Sequence, residues 1–218
     1  METKEIGRPA PAAGPKRYGV ILMDPPWQYR NKSARGAAEK HYGTMSLTEL
    51  RRLPVQRLAA GHCVLLMWAT WPCLPEAMEL GAWWGFGYVT GLPWIKVTQE
   101  AAQMVQEGQL TLFESFGDWG QEPVQFAPKM GTGFWVRGCS ELVLIWRRGQ
   151  PRPPAPSEVP LGLLSQQFRH SKKPDNIHDL AECIPAEHRL EMFARERRTG
   201  WDVFGNEVEG SIKLETYL

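Results

Sequence analysis

Tyr18-Gly19-Val20-Ile21-Leu22-Met23 is a short apolar run that stops abruptly at Asp24-Pro25-Pro26-Trp27. An apolar run this short, ended by a carboxylate and two prolines, reads as a buried strand whose carboxyl end opens into a loop. Downstream the pattern alternates. Ser46 and Glu49 have capping-box spacing, with Leu47, Leu50, Leu53, Val55 and Leu58 as an interrupted apolar stripe, so one helix or two short ones should fill 46–60. Cys63–Trp68 reads as a strand, Trp71–Leu80 as a helix, Tyr88–Ile95 and Leu142–Trp146 as strands, with a Pro-rich connector over 151–160. A helix starting at Pro174 runs to Cys183; Leu190, Met192 and Phe193 lie in a further strand, and Trp201–Phe204 leads into Gly205-Asn206-Glu207. Residues 211–218 fit an edge strand or a tail. Strands alternating with helices indicate an α/β fold with a largely parallel sheet.

The chain has 218 residues, enough for one hydrophobic core. Residues 1–16, rich in Pro, Ala and Gly, are expected to form a flexible leader and 17–218 the domain. The stretch 98–133 breaks the alternation and reads as an excursion serving recognition or an interface. Apolar residues make up 43% and charged residues 22%, the balance of an ordinary globular protein; ten Trp imply a rich core, aromatic platforms, or both. A net charge of +1 gives no global attraction to a polyanion, so any such binding falls to local patches. Three exist: Arg147, Arg148 and Arg152; Arg169, His170, Lys172 and Lys173; and Arg195, Arg197 and Arg198. Cys63, Cys73, Cys139 and Cys183 are scattered without metal-ligand spacing, so neither a disulfide framework nor a metal site is expected. With no signal peptide and no apolar run near the roughly 18 residues a span needs, the expected location is cytoplasmic and no membrane contact is foreseen.

In an open α/β sheet, ligands sit beyond the carboxyl ends of the strands, where Asp24 stands. Pro25 and Pro26 have fixed φ and no N–H, so they hold the chain extended and present carbonyl acceptors. A carboxylate and a carbonyl side by side can accept both hydrogens of an exocyclic aromatic amine, aiming its nitrogen at an electrophilic methyl group. Trp27 offers a flat face on which the base could stack, or simply packs. Neither a GxGxxG nor a GxxxxGK[ST] stretch occurs, which removes the usual sequence argument for a dinucleotide dehydrogenase or a P-loop nucleotidase.

Further blocks accompany this centre: Tyr42-Gly-Thr-Met-Ser46; Trp94-Ile-Lys96; Gly131-Thr-Gly-Phe-Trp-Val-Arg-Gly138 with Glu141; His170-Ser-Lys-Lys-Pro-Asp175; Glu191-Met-Phe-Ala-Arg195; and Gly200-Trp201 with Gly205-Asn-Glu207. Together they resemble the MT-A70-like family of adenine N6 methyltransferases, in the style of a bacterial or phage member. The resemblance implies a Rossmann-like class I methyltransferase fold: a mostly parallel seven-stranded sheet, helices on both faces, and the catalytic block ahead of the cofactor segments. It implies S-adenosylmethionine as cofactor, met by Asp24, Lys173, Arg195, Asn206 and Glu207. Lys173 would face the cofactor carboxylate, Asp24 its amino group, Asn206 the ribose or adenine edge, and Arg195 the ribose hydroxyls or Glu207. Tyr42 belongs to the loop that faces the target base in the family. The segment just past the tetrapeptide, with Tyr29, Asn31, Lys32 and Arg35, is expected to close over the base and touch flanking phosphates. Arg137 and Glu141 are expected to pair. No metal is called for, because the nitrogen attacks the methyl directly.

The expected reaction is methyl transfer to adenine N6 in DNA, with a homodimer or a partner subunit supplying extra nucleic-acid surface. RNA adenine N6 methylation, DNA cytosine N4 methylation, and a non-catalytic nucleic-acid-binding subunit stand as alternatives.

Overall fold

The computed structural model describes residues 14–28, 43–97, 138–155, 163–166 and 173–218. Strands are β1 (Tyr18–Met23), β2 (Ala59–Ala69), β3 (Gly87–Val97), β4 (Ser140–Arg148), β5 (Leu163–Gln166), β6 (Arg189–Met192) and β7 (Asp202–Phe204). Helices are α1 (Leu47–Arg51), α2 (Val55–Leu58), α3 (Leu74–Trp83) and α4 (Asn176–Glu182). The strands form one sheet in the order β5-β3-β4-β2-β1-β6-β7. β1 runs parallel to β2 and β6, β3 to β5, and β6 to β7. β4 enters between β2 and β3 antiparallel to both, so the sheet is mixed and broadly Rossmann-like.

Side-chain alternation along the strands builds a core on each face of the sheet. Ile21 and Met23 of β1 and Leu65 and Met67 of β2 pack with Leu50, Leu58 and Leu80 of α1–α3. Val20, Leu22, Leu66 and Trp68 point the other way and pack with Ile177 and Leu180 of α4. Trp68, Trp84, Trp94 and Trp146 are fully buried, and Trp68 meets Trp94 edge-on at 5.6 Å, so these indoles belong to the core. Gly81 lets α3 approach β4: a Cβ there would lie 2.6 Å from the Trp146 ring.

The region 46–60 contains two short helices and the start of β2. Ser46 caps α1 in a complete capping box, and its bonds to the Glu49 carboxylate hold that carboxyl below its usual range. β2, β3 and β4 extend past their expected limits, and the helix expected from Trp71 opens as a 3₁₀ turn over Trp71–Cys73 before α3. α4 begins two residues after Pro174. The strand expected to include Phe193 ends at Met192, because Phe193 adopts φ 62°, which strand pairing does not allow. The last residues are neither edge strand nor tail: a 3₁₀ turn over Leu214–Tyr217 buries Tyr217, whose carbonyl accepts from Arg57. β5 had no counterpart in the sequence reading. The expected excursion at 98–133 lies outside the described residues, as does the expected leader except for 14–16, where Lys16 pairs with Asp202 at 3.1 Å. Among the described residues no helix is long and apolar enough to cross a membrane.

Candidate active site

β1 delivers Asp24 to the carboxyl rim of the sheet. Leu22 pairs with Glu191 of β6 and Leu66 of β2, and alternation puts Leu22 and Asp24, like Glu191, on the face covered by α4. The prolines are anchored by their carbonyls. Pro25 O accepts the Trp27 N–H at 2.8 Å and Pro26 O accepts the Met45 N–H at 2.9 Å, closing a bridge between Trp27 and Met45. A carbonyl has two lone pairs, so Pro25 O keeps one for a ligand. Trp27 is 7% exposed, and its indole N–H donates to the Trp68 carbonyl at 3.0 Å.

Beside Asp24 runs a line of alternating charges. Lys173 Nζ lies 2.8 Å from Asp24 Oδ2 and 3.4 Å from Glu141 Oε2, and Glu141 Oε1 lies 2.6 Å from Lys96 Nζ. The Lys173 ammonium is also 5.4 Å from the Trp68 ring centroid. Burial alone would push the Lys173 ammonium below its ordinary pKa, but Asp24 and Glu141 outweigh it and raise the value. Burial pushes Glu141 up, and Lys173 and Lys96 outweigh it, leaving the carboxyl below its usual range. Glu141 therefore pairs with Lys173 and Lys96; Arg137, its expected partner, lies outside the described residues.

Asp24 and Lys173 border a cavity of about 670 Å³ that extends past His178 and Glu191 to Phe193, Arg195 and Glu207. That volume suits a small-molecule ligand. His178 Nε2 sits 2.9 Å from a Glu191 carboxylate oxygen, and the imidazole packs edge-on against Trp201. Arg195 pairs with Glu207 at 3.4 Å, and Arg198 lies 3.6 Å from Asp175 at the start of α4. Gly205 is required by close approach, with no positive φ: a Cβ there would lie 2.0 Å from the Ala194 carbonyl oxygen. This contact holds the turn carrying Asn206 and Glu207 against the end of β6. Asn206 is exposed and is not among the residues lining the cavity.

The structure thus brings together Asp24, Lys173, Arg195 and Glu207 from distant parts of the chain. Tyr29, Asn31, Lys32, Arg35 and Tyr42 lie outside the described residues. Of the basic patches, Arg195, Arg197 and Arg198 line the cavity. Arg147 and Arg148 pair with Val64 and Cys63, at the opposite end of β2 from the Asp24 rim. Glu141, Lys96, His178 and Glu191 received no site role in the sequence reading, although Lys96, Glu141 and Glu191 stand in the quoted blocks. Among the described residues no group of His, Cys, Asp and Glu is placed to hold a metal ion.

A family model described as MT-A70 matches residues 18–116 and 121–207. The Type II methyltransferase M.MunI of a Mycoplasma species is 28% identical over 223 residues, covering 92% of this chain and 82% of that protein. An N(6)-adenosine-methyltransferase MT-A70-like protein of Arabidopsis thaliana is 28% identical over 200 residues, covering 88% of this chain and 24% of that protein. The N(6)-adenine-specific methyltransferase METTL4 of Mus musculus is 29% identical over 200 residues, covering 88% of this chain and 38% of that protein. The chain therefore spans most of the Mycoplasma relative but well under half of the plant and mouse proteins. The expectation of DNA as substrate is overturned by the names of the relatives: those from plants, Drosophila, human and mouse are predominantly N(6)-adenosine-methyltransferases, and adenosine is the ribonucleoside. A cavity of this size, lined by carboxylates and cations including Asp24, Lys173, Glu191, Arg195 and Glu207 together with Phe193, fits S-adenosylmethionine, which has a zwitterionic amino acid end, a diol and a flat base. With the family model matched along most of its length, the chain belongs to the MT-A70 family of S-adenosylmethionine-dependent N6-adenine methyltransferases.

Proposed function

We propose that this chain methylates the N6 amine of adenosine in RNA. The observation that carries the reading is Asp24 at the carboxyl end of β1, opening onto the cavity with one oxygen tied to Lys173 at 2.8 Å. Among the described residues the other oxygen has no donor, and the carbonyl of the next residue, Pro25, keeps a lone pair beyond the one taken by Trp27 N–H. These two acceptors take the hydrogens of the amine and orient its nitrogen. S-adenosylmethionine supplies the electrophilic methyl group.

Lys173 fixes the rotamer of Asp24, and Glu141 with Lys96 fixes Lys173, so the acceptor is in place before substrate arrives. As the amine gains positive charge, Asp24 stabilises it and accepts its proton or passes it to water. Trp27, buried and bonded to Trp68, holds the Pro-Pro segment in position. Arg195 and Glu207 hold the ribose and adenine end of the cofactor, and Asn206 sits in the same turn as Glu207, outside the cavity lining. Tyr29, Asn31, Lys32, Arg35 and Tyr42 fall in a segment whose two ends meet at the Trp27–Met45 bridge, and they are assigned to the RNA strand around the target.

The names of the N(6)-adenosine-methyltransferase relatives support RNA as the polymer. The test is incubation with methyl-labelled S-adenosylmethionine and separate pools of single-stranded RNA, single-stranded DNA and duplex DNA, followed by digestion to nucleosides. Label in N6-methyladenosine from the RNA pool is the expected result. Transfer confined to DNA, or label in another nucleoside, overturns the proposal.

A further inference from the structure

Methylating a single base requires the strand on either side of it to be held, and Trp27 has too little free surface to do that at 7% exposure. Another indole at the same rim is well exposed. Trp71 follows β2 directly, opens the 3₁₀ turn Trp71–Cys73, and is 53% exposed. Neither hydrophobic core includes it, whereas Trp68, Trp84, Trp94 and Trp146 are buried.

An isolated exposed apolar side chain is ordinary. Trp71 differs in being held. Its indole N–H donates to Ser140 Oγ at 3.0 Å, and Ser140 is the first residue of β4, next to Glu141 of the charge line. The bond fixes the edge of the ring and leaves much of the ring surface in solvent. Its position is set by the sheet. Met23 pairs with Met67, so Asp24 is level with Trp68, and Trp71 stands three residues further on, just past the end of β2. Strand spacing and rise put the two Cα positions within roughly 11 Å. At a stacked rise of about 3.4 Å per nucleotide, that distance spans about three nucleotides or fewer.

We infer that Trp71 is a stacking platform for a base of the RNA strand within about three nucleotides of the target adenosine. The inference rests on the proposed RNA activity. Every base has a π face, so the platform accepts any base, and it contributes hold on the strand without reading its sequence. Ser140 is the positioning residue: it sets the plane of the ring and does not touch RNA.

The test is a double-mutant cycle between Trp71 and the flanking base. Wild-type protein, Trp71→Ala and Trp71→Phe are titrated with single-stranded oligoribonucleotides that carry one adenosine, in intact form and with abasic nucleotides at the three positions on each side. Binding and KM are measured for each, together with S-adenosylmethionine affinity by calorimetry. Trp71→Ala is expected to weaken binding and raise KM for intact RNA by about 5- to 150-fold, the range that base–aromatic stacking gives. Trp71→Phe should recover most of the loss, cofactor affinity should stay within twofold, and on abasic RNA wild type and Trp71→Ala should bind alike. An unchanged KM on intact RNA, or the same loss on intact and abasic RNA, overturns the inference while leaving the RNA reading standing. If the wild-type protein transfers no methyl to any oligoribonucleotide, the RNA reading and the platform both fall.

Discussion

Replacing Glu141 with Gln tests whether the charge line at the rim is a structural unit. Its side chain is 14% exposed and bridges Lys96 at 2.6 Å and Lys173 at 3.4 Å. Removing one partner of a buried ion pair costs roughly 3–5 kcal/mol, because the remaining charge is left uncompensated. Gln keeps one acceptor oxygen, and Lys173 keeps Asp24, so the lower end applies, at about 3 kcal/mol. In a domain of this size each kcal/mol moves Tm by about 2–4 °C, which puts the expected fall at about 6–12 °C near neutral pH. The pH dependence is a second check. The folded carboxyl of Glu141 titrates below its unfolded value of about 4.5, so its contribution is fully present above that value and is lost as pH falls through the lower folded value. Thermal melts of both proteins from pH 7.5 down to pH 3.5 should therefore run apart above about 4.5 and converge below it. A Tm difference under about 2 °C at neutral pH, or one that does not narrow in acid, would refute the reasoning.

Gly205→Ala forces a Cβ to within 2.0 Å of the Ala194 carbonyl oxygen and should cost roughly 1–3 kcal/mol while weakening S-adenosylmethionine binding; Gly61→Ala, with no atom within 4 Å of the added Cβ, is the neutral control in melts and calorimetry. Trp27→Phe loses the bond to the Trp68 carbonyl and should lower stability by about 1–3 kcal/mol with kcat/KM on RNA falling less than tenfold; a larger loss of activity at unchanged stability would return Trp27 to a stacking role. Ser46→Ala removes the capping box of α1 and should cost about 1 kcal/mol in a urea titration without changing cofactor affinity.

The sequence disclosed most where local chemistry and burial agree. The apolar run 18–23 and the stop at Asp24 mark β1, and the Ser46–Glu49 spacing marks the start of α1. The direction of β4 was not legible, because periodicity reports burial and carries no information on the direction in which a strand enters the sheet. β5 is four residues long and ends in Ser165 and Gln166, too short and too polar to stand out from its surroundings. The partners of Glu141 were hidden for a related reason: Lys96 and Lys173 lie far away in the chain, and only the β3–β4 pairing and the start of α4 bring them to the same carboxylate. Trp27 was ambiguous in principle, since an indole serves a core and a stacking surface equally well; its 7% exposure distinguishes them. The close contact behind Gly205 involves Ala194, a backbone neighbour that no local pattern around residue 205 reveals.

The reversed strand has a consequence for how such a protein can be altered. Because β4 runs against β3, Val97 and Gly138 both lie at the rim where Asp24 emerges, and whatever joins them leaves and rejoins the sheet there. A change of length between those two points therefore begins and ends at the rim that carries Asp24, and the opposite rim of the sheet, where Arg147 and Arg148 pair with β2, is remote from both.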